Sequence, residues 1–460
     1  MPILPIDSGR YGSNEIRNIF EEERRLRYQL EFEAQVASSQ GRLNLIPKNA
    51  SKEISLIARS NKITINKIKE LESISEHDTA SIVQAISQYC SPSTRPWIHY
   101  GLTSNDVVDT STSMQLKDAF EIIEPKISKL ISLMLNKAKR YSTLPSVGRT
   151  HGQHASIISF GLKFAVWANE LSLHIERIEE GKKRFLLCKT LGVVGTGSLM
   201  GLRALAIQKD VAKSLGLYSV EAATQVIPRE RLAEVQFIIS IIGCTLDKIA
   251  IEIRNLQRTE IGEVEEPFKK GQLGSSAVPV KRNPIKSERV SSLARILRSF
   301  SNVAQENVSL WHERDLSNSA NERFTIPMGV ILLDEMMNSM IKVIEGLTVN
   351  RQIILDNINK TKGGIYAEFI LEALVKKGIP RMKAYDNIQR VAFQTLADDK
   401  NFKEAIIQDP SIGSNLNMNE LKKIFDPNNH LAASTKIIDN VIKKAKVIRR
   451  NYKLHQSIFL

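Results

Sequence analysis

The sequence predicts an all-α protein, and three observations carry that expectation. From Leu232 the apolar residues Leu232, Val235, Ile239, Ile242, Leu246, Ile249, Ile253 and Leu256 alternate spacings of three and four with no proline between them. That is the stripe of one long helix with a buried side. A second stripe, Val290, Leu293, Leu297, Phe300 and Ala304, follows a turn-rich segment, and further helical patterns run from Met114 to Tyr141 and from Phe160 to Phe185. Strand-like alternation bounded by hairpin turns is scarce.

The breaks that contain Pro and Gly divide these helices into three parts. An N-terminal helical part, 1–103, ends near the Tyr100-Gly101 turn; a central long-helix part, 104–354, holds the stripes; a smaller helical part, 355–460, finishes the chain. Long apolar stripes need partner helices, and several in one subunit favour a bundle that extends across an oligomer.

With 42% hydrophobic and 25% charged residues over 460 positions, the chain has the composition of a folded globular protein. Its formal charge of +14 admits a nucleic-acid binder or an enzyme for anionic substrates. The basic residues are dispersed except at Lys443, Lys444, Lys446, Arg449, Arg450 and Lys453 on the last helix. Without a recognition motif this run reads as a solvated face, so no nucleic-acid partner is expected. No uninterrupted apolar run approaches the roughly 20 residues of a membrane span, and no leader pattern opens the chain, so the expected compartment is the cytoplasm, without a membrane partner. Cys90, Cys188 and Cys244 are far apart and odd in number, which fits reduced thiols and neither a disulfide framework nor a zinc cluster.

The chemistry concentrates in two segments. Gly274-Ser275-Ser276-Ala277-Val278-Pro279-Val280-Lys281-Arg282-Asn283-Pro284 places two hydroxyls, a cation and an amide in one turn-rich stretch between helices. Gly271 and Gly274 admit unusual backbone angles, and Pro279 and Pro284 interrupt a helix, which is the composition of a movable catalytic loop. Lys281 and Asn283 can converge on a carboxylate. In Gly148-Arg149-Thr150-His151-Gly152-Gln153-His154-Ala155, His151 has a side chain that gains or loses a proton near neutrality. His154 follows at helical spacing. The two could ligate a metal, but no Glu or third ligand accompanies them, so no metal is expected. A serine hydroxyl is a poor base unless its alkoxide is stabilised, so chemistry alone favours Lys281 or a histidine as the base. The stretch Gly192-Val193-Val194-Gly195-Thr196-Gly197-Ser198-Leu199-Met200-Gly201 lies between helical segments without the βαβ frame of a dinucleotide site, and reads as a tight turn with close backbone approach.

These segments resemble a known family. The loop 274–284 is similar to the GSSxMPxKxNP signature of the fumarase/aspartase superfamily, lyases that eliminate fumarate from succinyl compounds, with Val278 where Met is usual; residues 148–155 match its THxQxA motif. Ser75-Glu76-His77-Asp78, the stretch His99 to Asp106, Arg10-Tyr11, Gln225 to Arg229 and Trp311 to Arg323 look like the adenylosuccinate lyase family within that superfamily. The resemblance implies a homotetramer with active sites shared between subunits, nucleotide substrates and no cofactor. It implies β-elimination of fumarate from adenylosuccinate, giving AMP, and from the succinylated aminoimidazole carboxamide ribotide. In those roles Ser275 is the base, with Ser276 as the fallback, His151 is the general acid, Glu288 partners that histidine, and His77 is a second site histidine. Thr103, Ser104, Lys281 and Asn283 would bind succinyl carboxylates; Arg10 and Tyr11 would contact the nucleotide; Arg289, Arg314, Arg323 and Ser319 would hold phosphate and nucleotide. Gln225 would give an amide contact, and Asp78 and Thr150 would touch substrate beside the two histidines. Argininosuccinate lyase shares the loop and the His151 motif but should lack Arg10-Tyr11 and the His99-to-Asp106 pattern. A non-catalytic structural protein on this fold could let the site decay, whereas the expected polar residues are all present here.

Overall fold

The computed structural model describes residues 4–398 and 400–458, with the backbone alone for residues 396 and 448–458. The N-terminal helices are α1 (Asn14–Phe20), α2 (Glu22–Arg42), α3 (Lys48–Arg59), α4 (Ile65–Ser75) and α5 (Asp78–Tyr89). The long helices follow: α6 (Ser104–Arg140), α7 (Phe160–Phe185), α8 (Arg203–Leu215), α9 (Glu230–Leu256), α10 (Ile285–Glu306) and α11 (Ser319–Gly346). The chain ends in α12 (Arg351–Asn359), α13 (Ala367–Lys376), α14 (Arg381–Ala397), α15 (Phe402–Gln408), α16 (Pro410–Gly413), α17 (Met418–Ile424) and α18 (Ala432–Ile458). The architecture is all-α.

The two apolar stripes face inward. On α9, Val235, Ile239, Ile242, Leu246, Ile249, Ile253 and Leu256 are buried, and on α10 so are Val290, Leu293, Leu297 and Ala304. The two helices pack along their length. Gly243 permits the close approach, since a Cβ there would lie 2.9 Å from Leu297 Cδ1. Helices α6, α7 and α11 complete the central bundle. Helix α11 is apolar enough to cross a membrane by length and composition, but 72% of that window is buried within the bundle. It is a core helix.

Three clusters of buried side chains result. The central one joins α6, α7, α9, α10 and α11 and also takes Ile16 and Ile19 of α1, Phe32 of α2, and Ile438 and Ala445 of α18, so the last helix returns to pack on α7. A second lies among α2, α3, α4 and α5, with Leu30, Ile54 and Ile82 in it. The third lies among α12 to α17 and includes Val147 and Ile157 from outside that region. On α18, Lys443, Lys444 and Lys446 are exposed; the side chains of Arg449, Arg450 and Lys453 lie outside the described residues.

One expectation is corrected. The segment around His151 is not helical but an antiparallel hairpin of β1 (Pro145–Thr150) and β2 (Gln153–Ser159), bulged between Gly148 and Arg149. His151 and Gly152 form its two-residue turn with φ of 52° and 75°, and two positive φ values in a row are what a tight hairpin turn requires. Thr150 faces Gln153 across the turn, so His151 and His154 do not sit one helical turn apart. Two further short pairs occur, β3 (Leu187–Cys188) parallel to β4 (Tyr218–Ser219) and β5 (Val264–Glu265) antiparallel to β6 (Thr348–Val349).

Candidate active site

A cleft of about 460 Å³ opens where the starts of α5, α6, α9 and α11 meet. The polar residues Ser104, Asn105, Asp109, Thr112 and Gln115 line it from α6 at spacings of one, three and four, a polar stripe on a helix otherwise packed into the core. His77 caps α5, its Nδ1 accepting the Ala80 N–H at 3.2 Å. In the neutral ring this leaves the proton on Nε2. Asp78, the next residue, accepts from Arg323 Nη2 at 3.2 Å. Arg314, Ser319 and Arg323 complete the opposite wall.

The N-terminus of α6 is fixed from beneath. Thr103 forms a capping box with Asp106, and Asp106 also accepts the Gly192 N–H at 3.0 Å and an ion pair from Lys189. Both charged side chains of that pair are fully buried, and Lys189 Nζ donates to the Gly192 carbonyl at 3.3 Å. The glycine stretch is the tight turn expected: a Cβ on Gly192 would meet the Gly101 carbonyl oxygen at 2.9 Å. Beyond it the Val193 carbonyl accepts from Gln225 Nε2 at 3.0 Å, and Gln225 Oε1 accepts from Arg314 at 2.9 Å. A chain of polar contacts thus runs from Ser104's helix end to Arg314.

Beneath the cleft floor Arg229 donates to Asp109 at 2.9 Å and lies 3.2 Å from Glu322. Burial opposes its charge, but Asp109 and Glu322 outweigh it and raise its pKa. Glu322 is itself pushed up, chiefly by burial. For Arg314, burial lowers the pKa and Arg229 adds to the effect.

The other expected residues form separate groups in this chain. The signature loop, 274–284, lies in the segment that joins the end of β5 to α10, with Ser275 half-buried and Ser276 and Lys281 exposed. Ser275 Oγ accepts two backbone N–H groups, from Ala277 at 3.3 Å and Val278 at 3.1 Å. Donors aimed at an oxygen favour its anionic form over an isolated hydroxyl's. Asn283 Nδ2 donates to the Gly274 carbonyl at 2.9 Å and closes the loop. Gly274 is required there, because a Cβ would fall 1.9 Å from the Lys281 carbonyl oxygen. Thr150 and His151 are exposed at the hairpin tip, whose base is held by Arg149 to Glu263 at 2.6 Å. His154 on the second strand has its pKa lowered by burial and by Arg149.

Arg289 does not join Arg314 and Arg323 in the cleft. It pairs with Glu335 at 3.1 Å, and its guanidinium lies 5.9 Å from the Tyr11 ring centre, with Arg10 exposed nearby in the chain. Glu288 is exposed in the first turn of α10, and among the described residues no hydrogen bond joins it to His151. One chain therefore gathers His77, Asp78, Ser104, Arg314, Ser319 and Arg323 around the cleft, with Thr103 and Gln225 adjoining, while Ser275, His151 and the Tyr11–Arg289 group stand outside its lining. The sequence reading missed Arg25, Asp109, Arg229 and Glu322 in the cleft. Arg25 belongs to the charged run Glu21-Glu22-Glu23-Arg24-Arg25, where nothing in the spacing separates a cleft residue from a solvated one.

The family model described as Lyase matches residues 9–297, and that described as Adenylosuccinate lyase C-terminus matches residues 363–441. Among solved structures, the chain superposes on a fumarate lyase from Mesorhizobium sp. BNC1 with a TM-score of 0.86 at 26% identity, covering 94% of this chain and 98% of that one. The 3-carboxy-cis,cis-muconate lactonizing enzyme from Pseudomonas putida shares the fold, with a TM-score of 0.87 at 24% identity over 97% of this chain and all of that one. Fold and family model together define the class, a lyase of the fumarase/aspartase type. Curated relatives are more specific: adenylosuccinate lyases from Methanocaldococcus jannaschii and Pyrococcus abyssi are each 38% identical, over 97% and 98% of this chain and 96% and 99% of theirs. The chain belongs to the adenylosuccinate lyase family.

Proposed function

We propose that the protein eliminates fumarate from adenylosuccinate, releasing AMP, and that it acts in the same way on the succinylated aminoimidazole carboxamide ribotide. The observation that carries the mechanism is the Ser275 hydroxyl with two backbone N–H groups on its oxygen. As alkoxide, Ser275 takes the proton from the carbon beside a succinyl carboxylate. The electron pair left there forms the double bond of fumarate and breaks the carbon–nitrogen bond, and His151 delivers a proton to the departing nitrogen. Thr103, Ser104, Lys281 and Asn283 hold the succinyl carboxylates, where charge builds up as the proton leaves. Arg314, Ser319 and Arg323 hold the phosphate, for which arginine's paired donors are suited. Arg289 with Arg10 and Tyr11, Gln225, Asp78, Thr150 and Ser276 contact the remaining substrate, and Glu288 and His77 set the proton state around His151.

Within one chain these residues lie in separate groups, so the working site is assembled from several copies. We read the assembly as a homotetramer of three-part subunits, divided near residues 103 and 354. Support comes from exposed apolar side chains on the long helices, Val166, Phe237, Ile251 and Ile296, which a second copy would cover. A phosphorylated substrate confined by its charge places the enzyme in the cytoplasm. Ser275→Ala should fold and bind adenylosuccinate yet lose turnover by about 10²–10⁴-fold, measured as fumarate release. Undiminished turnover would move the base to Ser276 or Lys281.

A further inference from the structure

The cleft's cations are unequally matched. Arg229 has Asp109 and Glu322 at ion-pair distance, and Arg323 has Asp78. Arg314 donates to a neutral amide. Arg25, from α2, also lines the cleft, and among the described residues no carboxylate comes within ion-pair distance of it. Glu72 and Glu76 line the same cleft, and Glu22 lies one turn back on the same helix as Arg25.

We infer that Arg25 is a further ligand of the nucleotide phosphate, closing a cradle with Arg314, Ser319 and Arg323. The inference rests on the reading of this cleft as a nucleotide site. Burial lowers the pKa of Arg25, and the neighbouring Arg323 lowers it further, against the opposing pull of Asp78, Glu22 and Glu72. Two guanidiniums that line one partly desolvated cleft repel each other in the free protein, and a dianion bound between them offsets that repulsion. The backbone at Arg25 is anchored, since Leu26 beside it is buried in the N-terminal core, and Phe20 at the end of α1 lines the same cleft. The succinyl carboxylates are a second source of doubly negative charge. Sharing the cleft with Arg314, Ser319 and Arg323, the groups proposed to hold phosphate, favours the phosphate.

The test uses the full-length protein, first shown to release fumarate from adenylosuccinate, and compares AMP, adenosine and fumarate as inhibitors of that release. Arg25→Gln should weaken AMP inhibition about 10- to 100-fold, the loss expected for charge-assisted hydrogen bonds, and leave adenosine and fumarate inhibition unchanged. Arg25→Lys should fall between, since an ammonium keeps the charge and loses the paired geometry. AMP inhibition equal to wild type overturns the inference. So does an equal loss for AMP and adenosine, which would mark a structural role, and so does a loss confined to fumarate. A wild-type protein that released no fumarate would instead remove the functional reading itself.

Discussion

At Ser275 the residue type and its surroundings point in different directions. From residue chemistry alone Lys281 or a histidine would be chosen as base before a hydroxyl, and the proposal of Ser275 leans on what surrounds its oxygen. The two N–H groups that converge on its oxygen come from Ala277 and Val278, residues whose side chains carry no such information. The histidines make the same point through their surroundings. His99 lies 2.6 Å from the buried Glu33. Burial works against its charge, but Glu33 and Asp106 outweigh it and hold its pKa above the ordinary 6.5. A histidine whose folded pKa is raised contributes stability that is complete below its unfolded pKa and fades as pH rises through the folded one. His99→Gln should therefore cost about 1.5–3 kcal/mol near pH 6 and distinctly less at alkaline pH. Urea unfolding at the two pH values measures this, and an equal loss at both would show that the imidazole is not charged in the folded protein.

At the scale of elements, helices with one apolar side were the legible part. The pattern from Phe160 to Phe185 marks α7 at both ends, and the Leu232-to-Leu256 stripe marks all but the first two residues of α9. Helix α11 was not readable in the same way, because it is apolar around most of its circumference and has no stripe to find. The hairpin at His151 was not legible because its signal is a two-residue turn, with only Gly152 to announce it. The Asp106–Lys189 pair was invisible for another reason: its partners are 83 positions apart. It ties the start of α6, where Thr103 and Ser104 stand, to the glycine turn that supports Gln225. Lys189→Met leaves a fully buried carboxylate without its cation, a change that should destabilise by about 3–5 kcal/mol. A denaturation midpoint unmoved by the substitution would show that the N–H groups of Thr103 and Gly192 suffice to hold Asp106.

For the whole molecule, the motifs that the sequence displays do not reveal how they are distributed in space. The motifs are local in sequence, and each folds into its own place: the cleft, the hairpin tip, the signature loop and the Tyr11–Arg289 contact. What would bring them together is contact between copies, which the long apolar stripes suggest but whose geometry a single-chain pattern does not give. On the proposed function these groups serve a substrate with two carboxylates and a phosphate and release fumarate from nitrogen. Its most direct test is fumarate release by the purified protein, with adenylosuccinate and argininosuccinate offered separately at neutral pH. Release from adenylosuccinate alone is the result expected; release from argininosuccinate alone, or from neither, would contradict it.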